Sequence, residues 1–178
     1  MHFEKTLSSK DIYKGKIISL KKDKVELENG ATAEREVFMH PGAVAIVAVD
    51  TRKYVYLVKQ YRYPIAEELI EIPAGKLDKG ETPFECAKRE LKEETGLTAK
   101  RYKNLGVIYP SPAYCDEKIH LFLALDLSEG EQKLDEDEFL SVKKLPLNVA
   151  CEMAVNGDIT DAKTVAGLLK AKLALGII

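Results

Sequence analysis

The chain has 178 residues, 46% hydrophobic and 31% charged, which fits one globular domain or one domain with an appendage. A chain of this length buries a core that folds without disulfides or a structural metal. Its 27 basic and 29 acidic residues leave a net charge of −2, which argues against a general nucleic-acid binder and against an acidic disordered tail.

The opening residues, Met1-His2-Phe3-Glu4-Lys5, carry no signal-peptide core, and no apolar run approaches the roughly 18 residues of a membrane span. Ile17, Ile18 and Leu20, then Val25 and Leu27, are expected on strands flanking a turn at Lys21–Lys24. Asn29-Gly30 is a hairpin signal ahead of a strand over Thr32–Phe38. Residues 1–40 therefore read as an antiparallel β-hairpin region. It has few large apolar residues and needs a partner surface, from the main domain or from a second chain. Pro41-Gly42 marks the boundary with a domain over 41–178.

In that domain, Ala43–Val49 and Tyr54–Val58 read as strands around an Asp50–Lys53 turn. A third run, Leu69–Ile72, ends at Pro73-Ala74-Gly75. Residues 83–95 switch to a helical period, with Thr82 as cap, Pro83 in the first turn and Gly96 past the end. Strands resume at Val107–Tyr109, Ile119–Leu125 and, after an acidic loop, Phe139–Val142. A helix over Leu147–Val155 stops at Asn156-Gly157. Asp158 or Thr160 caps a last helix with Val165, Leu168, Leu169 and Leu173 on its apolar face. The connections suit hairpins more than regular βαβ alternation, so the fold class is mixed α/β of the α+β kind. Cys86, Cys115 and Cys151 are odd in number and widely spaced, as expected of reduced thiols in a cytoplasmic protein.

The helix after Gly75 carries the chemistry. With about 100° per residue and Glu90 at zero, Glu94 falls at about +40° and Glu93 at about −60°. Phe84, Ala87 and Leu91 form an apolar stripe beside these carboxylates. Three acids on one face repel one another and oppose the helix dipole near the C-terminus. Two readings are open: a solvated acidic face, or a site for a hard divalent cation, which reverses both penalties. Arg89 can pair with Glu93 and with Glu85, one turn either side.

Gly75, Glu81, Arg89, Glu90, Leu91, Glu93, Glu94, Gly96 and Leu97 match every fixed position of the pattern GX5EX7REUXEEXGU. The segment thus resembles the box of the Nudix hydrolases. The resemblance implies a mixed sheet sandwiched between helices, and attack of water on a diphosphate assisted by two to three Mg²⁺ or Mn²⁺ ions. It implies Glu90, Glu94 and the Ala74 carbonyl as metal ligands, with Glu93 nearby in the catalytic site. Glu81 and Arg89 support them, and Gly75 and Gly96 shape the motif.

The flanks resemble the ADP-ribose pyrophosphatase branch. Pro112 follows Gly96 by 16 residues, within Ser111-Pro112-Ala113 and ahead of Glu117. Ala113 stands where that branch has glycine. Lys59-Gln60-Tyr61-Arg62 resembles the strand presenting a substrate-binding arginine, and Arg35-Glu36 the segment that recognises adenosine, often across a dimer. The implied substrate contacts are Arg35, Glu36, Arg62, Ser111, Pro112, Ala113 and Glu117. Taken singly, Pro112 is equally a turn residue, Arg62 a surface ion-pair partner, and Tyr61, Tyr63 and Tyr114 rim or core aromatics. The stretch Asp135-Glu136-Asp137-Glu138 is either a solvated loop or the branch's catalytic loop, with Glu136 as general base and Glu138 as a further metal ligand.

The function implied is hydrolysis of ADP-ribose to AMP and ribose 5-phosphate by a homodimer with exchanged N-terminal hairpins. Neither nucleic acid nor membrane is an expected partner. The alternatives are another ADP-sugar or dinucleotide (NADH, a diadenosine polyphosphate, GDP-mannose), or a sensor of NAD metabolites that does not turn over.

Overall fold

A computed structural model of the chain describes residues 2–134, 136 and 138–177. They divide into two compact units. The first holds the residues up to Gly42 together with Tyr109–Lys118. The second holds Ala43–Ile108 and the chain from Ile119 onward.

The first unit is an antiparallel sheet of β1 (Lys5–Lys14), β2 (Ser19–Glu26) and β3 (Thr32–Met39), in that order. Asn29-Gly30 makes the expected turn between β2 and β3. Gly30 adopts a φ of +80°, and the Asn29 side chain accepts the Ala31 N–H at 3.0 Å. Lys21–Lys24 is not a turn, because it lies inside β2. Cross-strand pairing accommodates its charges, as between Lys22 and Glu34 at 2.8 Å. The strand β1 was not foreseen. Its sequence, KTLSSKDIYK, has no apolar alternation, and every residue of it is exposed. Segment 109–118 joins this unit through β3, where the Phe38 N–H donates to the Tyr114 carbonyl (2.8 Å) and the Asp116 N–H to the Phe38 carbonyl (3.1 Å).

The second unit contains β4 (Ala43–Val49), β5 (Tyr54–Arg62), β6 (Glu67–Glu71), β7 (Ala74–Lys76), α1 (Pro83–Thr95), β8 (Leu97–Ile108), β9 (Ile119–Glu129), β10 (Leu140–Pro146), α2 (Leu147–Asn156) and α3 (Ala162–Ala174). The sheet runs β10-β5-β4-β9-β8, with β6 beside β5 and β7 beside β4. It is mixed, since β4 and β9 are parallel and the other pairs antiparallel. β4 is buried along its whole length, and successive side chains serve opposite faces. Val44, Ile46 and Ala48 pack with Cys86, Ala87 and Leu91 of α1. Ala45, Val47 and Val49 pack with Leu147, Ala150, Leu168 and Ala171 of α2 and α3. Helices thus cover both faces, the expected sandwich.

Helix α1 starts with a complete capping box. The Thr82 hydroxyl accepts from the Glu85 N–H, and the Glu85 carboxylate accepts from the Thr82 N–H. It ends at Gly96 in the left-handed region, φ +71°, where a Cβ would meet the Gly130 carbonyl at 2.6 Å. Several expected boundaries move. β5 continues to Arg62, β8 begins directly after α1, and β10 starts at Leu140 and extends to Pro146. Asp161, not Asp158 or Thr160, caps α3. The buried face of α3 is Thr164, Gly167, Leu168 and Ala171, and Leu173 is exposed. Phe84 also lies at the rim of its stripe, edge-on to Tyr102 with ring centroids 5.3 Å apart.

Candidate active site

Arg89 organises the acidic face of α1. Its Nε and Nη2 donate to the two oxygens of Glu81, both at 2.9 Å. Its Nη1 donates to Glu90 at 2.7 Å and Glu93 at 3.0 Å, and Nη2 also reaches the Lys76 carbonyl at 3.2 Å. The pair with Glu93 is the expected one. The pair with Glu85 does not form, because the capping box occupies Glu85. The Arg89 hydrogen bonds hold the Glu81 carboxyl down at about 2, despite some burial.

Glu94 is the least compensated acid here. It is 3% exposed and accepts one hydrogen bond among the described residues, from the Ala74 N–H at 3.0 Å. Burial pushes its pKa up to about 8; the Ala74 N–H opposes this, and the charges of Glu90 and Glu138 add to it. Burial likewise raises Glu90, opposed by Arg89 and reinforced by Glu93 and Glu138.

The loop before α1 brings its backbone against these acids. A Cβ at Gly75 would lie 1.9 Å from the Glu90 carboxyl carbon, so any other residue would push that carboxylate aside. A cavity of about 190 Å³ opens here, lined by Gly75, Lys76, Arg89, Glu90, Glu93 and Glu138 among others. Among the described residues no three His, Cys, Asp or Glu side chains converge closely enough to hold a cation unaided. The donors are nonetheless oxygens, and buried acids short of positive charge suit Mg²⁺ or Mn²⁺. Such ions accept few carboxylates and fill their shells with water and phosphate.

Of the acidic loop, Glu138 lines the cavity, while Glu136 is exposed and outside its lining. Asp135 and Asp137 lie outside the described residues. Arg62, at the end of β5, is 40% exposed and clamps Glu71 with Nε and Nη2, both at 2.6 Å. Glu71 itself is 1% exposed. Neither Glu71 nor its second partner, Lys163, was foreseen. The available signal was an acid inside the apolar run Leu69–Ile72.

The other expected contacts belong to the first unit. Arg35 pairs with Glu4, Nε to Oε2 at 2.9 Å. Glu36 is exposed, opposite Lys22 across the strands. The Ser111 carbonyl accepts the N–H groups of Tyr114 (3.2 Å) and Cys115 (3.0 Å), closing the turn that carries Pro112 and Ala113. Those two line a cavity of about 320 Å³ with Tyr109 and Tyr114. Glu117 sits 3.6 Å from His40. Arg35, Glu36 and Glu117 are outside that cavity's lining.

A mixed sheet between helices, with a strand whose glycine lets an acidic helix pack close and one arginine holding that helix's acids, defines a hydrolase of the Nudix fold. Comparison with known proteins agrees. The NUDIX domain family matches residues 39–168, and the nucleoside diphosphate sugar hydrolase N-terminal domain matches residues 4–38. The chain belongs to the NUDIX family and is a Nudix hydrolase. It is 47% identical over 163 residues to an ADP-ribose pyrophosphatase of Bacillus subtilis, covering 90% of this chain and 88% of that protein. It is 44% identical over 164 residues to a methanol dehydrogenase activator of Bacillus methanolicus, covering 91% and 89%. The solved structure of an ADP compounds hydrolase matches with a TM-score of 0.85 at 23% identity, over 98% of this chain and 97% of that one, which shows the shared fold.

Proposed function

We propose that the chain hydrolyses the diphosphate of ADP-ribose to AMP and ribose 5-phosphate. The observation that carries this reading is the 47% likeness, along nine-tenths of the chain, to a relative named for that reaction. Glu90, Glu94, Glu138 and the Ala74 carbonyl would hold two to three Mg²⁺ or Mn²⁺ ions. Bound there, they neutralise diphosphate charge and lower the pKa of coordinated water.

The chain's own residues do the rest. Arg89 keeps Glu90 and Glu93 in place, and Glu81 keeps Arg89 in place. Arg62 contacts the diphosphate. Glu136, carried by the acidic loop, takes the proton from the attacking water. Arg35, Glu36, the 111–113 turn and Glu117 hold the nucleoside and the terminal ribose.

The test is product analysis with Mg²⁺ and Mn²⁺ on ADP-ribose, ADP-glucose, NADH, a diadenosine polyphosphate and GDP-mannose. AMP and ribose 5-phosphate from ADP-ribose, at a kcat/KM at least about tenfold above the rest, is the expected result. A second reading, hydrolysis of another nucleotide sugar or dinucleotide, is favoured by a 34% likeness over 161 residues to a GDP-mannose pyrophosphatase of Salmonella arizonae. Preference for any other member of the panel would establish it. No turnover of any of them would favour a sensor.

The site works in a homodimer in the cytoplasm on this reading. Phe3, Leu7, Ile12, Tyr13 and Ile17 are exposed apolar residues on or beside β1, which suits cover by a second copy. The three free cysteines suit a reducing compartment. Deleting residues 1–40 is expected to lower both melting temperature and turnover, with the full chain eluting as a dimer in light scattering. A truncated monomer with unchanged kinetics would sink the dimer reading.

A further inference from the structure

Lys163 sits where local physics does not ask for a cation. It lies in the first turn of α3, where the helix dipole disfavours positive charge, and its side chain is only 12% exposed. The docking of α3 explains the placement. Its cap, Asp161, accepts from the Thr164 N–H at 2.9 Å and the Thr164 hydroxyl at 2.5 Å. The Thr164 hydroxyl oxygen in turn accepts the Ile72 N–H at 2.9 Å. That staple lays the first turn of α3 against the end of β6, one residue from Glu71.

The Lys163 ammonium there donates to Glu71, and to Asp161 at 3.0 Å. Both Lys163 and Arg62 Nη2 use the same Glu71 oxygen, Oε2, while Arg62 Nε takes Oε1. One edge of the guanidinium is fixed in this way. Its Nη1 makes no hydrogen bond among the described residues. The charges of Arg62 and Glu94 also act on each other, so the guanidinium lies within electrostatic reach of the acidic cluster.

We infer that Glu71 and Lys163 are positioning residues, which hold the Arg62 guanidinium with its Nη1 edge free for the diphosphate. This rests on the reading of Arg62 as a diphosphate contact. Glu71 fixes the angle of the planar fork. Lys163 pins Oε2 and takes a share of the carboxylate charge, so that Arg62 is not fully neutralised by its clamp. An ammonium or a guanidinium at position 163 serves; a neutral side chain does not.

The experiment is steady-state kinetics on ADP-ribose at saturating Mg²⁺, with melting temperatures alongside. Lys163→Met is expected to raise KM about tenfold with kcat within about twofold, and Lys163→Arg to recover most of the loss. Adding Lys163→Met to Arg62→Gln is expected to raise KM no further, because Lys163 acts through Arg62. Should Lys163→Met fold poorly, Lys163→Gln, neutral but still able to donate to the Glu71 carboxylate, carries the same expected KM rise. A lowered melting temperature with unchanged KM in a folded variant would make Lys163 a purely structural residue and overturn the inference. So would additive losses in the double variant. If Arg62→Gln itself leaves KM unchanged, the reading of Arg62 fails and the inference fails with it. If Arg62→Gln raises KM and the Lys163 variants do not, only the inference falls.

Discussion

Glu94→Gln is expected to yield a protein that is more stable without metal and almost inactive with it. Glu94 is buried, accepts only the Ala74 N–H among the described residues, and feels the charges of Glu90 and Glu138 more strongly than that of Arg62. An isolated acid in such a place costs stability until a cation arrives. With its pKa pushed up to about 8, the metal-free carboxyl must take up a proton to fold at neutral pH, a cost that glutamine, which keeps an oxygen for the Ala74 N–H, does not carry. A gain of about 1–3 kcal/mol is expected for the metal-free protein, read as a rise of a few degrees in melting temperature with chelator present. On the proposed assignment the same change removes a metal ligand. Groups that merely support a ligand typically change activity about 10- to 100-fold, so loss of the ligand itself is expected to exceed about 10³-fold. Turnover within tenfold of the parent would remove Glu94 from the metal site. A fall in the chelated melting temperature would show that the carboxylate is better satisfied than its contacts indicate. Functional sites are where a fold carries such local costs.

Glu71→Ala is expected to be the most destabilising single truncation among the polar residues of the second unit. It strips the shared acid from Arg62 and from the largely buried Lys163. Breaking a buried ion pair by removing one partner costs about 3–5 kcal/mol, which for a chain of this size lowers the melting temperature by roughly 6–20 °C. Acid is expected to have a parallel effect. Burial raises the Glu71 pKa, but hydrogen bonds and charge from Arg62 and Lys163 more than offset it, leaving it below its ordinary 4.5. A carboxyl depressed in the folded state contributes its stability above the unfolded value, and that contribution drains away as the pH falls through the folded one. Denaturant titrations stepped downward from pH 5 should therefore lose stability more steeply in the parent than in Glu71→Gln. Parallel slopes would show that Glu71 titrates alike in both states. A melting temperature of Glu71→Ala within about 2 °C of the parent would show that water replaces the clamp at little cost.

The elements legible in the sequence were those with a strong local signal. The helix over Pro83–Thr95 had a cap, a first-turn proline, a terminal glycine and a regular acidic face, and it forms with those limits. The Asn29-Gly30 and Asp50–Lys53 turns were equally local. β1 was missed because an exposed strand has no burial pattern to display. Lys21–Lys24 was misread because ion pairs between strands, invisible in one strand's sequence, make a charged run tolerable in a sheet. In the site, the acids of α1 could be placed on one face by spacing alone. That Arg89 turns to Glu81 and not to Glu85 depends on the capping box winning Glu85, a competition between two local contacts. Glu71 and Lys163 are 92 residues apart. Their meeting depends on how α3 docks on the sheet, and no periodicity reports that.

The end of α1 also sets where the chain leading to Glu136 and Glu138 is anchored. The Lys133 N–H donates to the Glu93 carbonyl at 3.0 Å, and the Gln132 side chain donates to the Glu94 carbonyl at 2.5 Å. Gly96 leaves no room between the helix end and Gly130. On the far side, Leu140 is already paired with Gln60 in the sheet. Six positions of sequence separate the two anchors, which no chain can stretch beyond roughly 20 Å. The carboxylates of Glu136 and Glu138 are thus confined to a small volume around the acidic helix face. Their encounter with anything bound there is an event within one short tethered segment, at an effective concentration on the millimolar scale or above. Lengthening that span with inserted glycines would dilute those acids at the helix face.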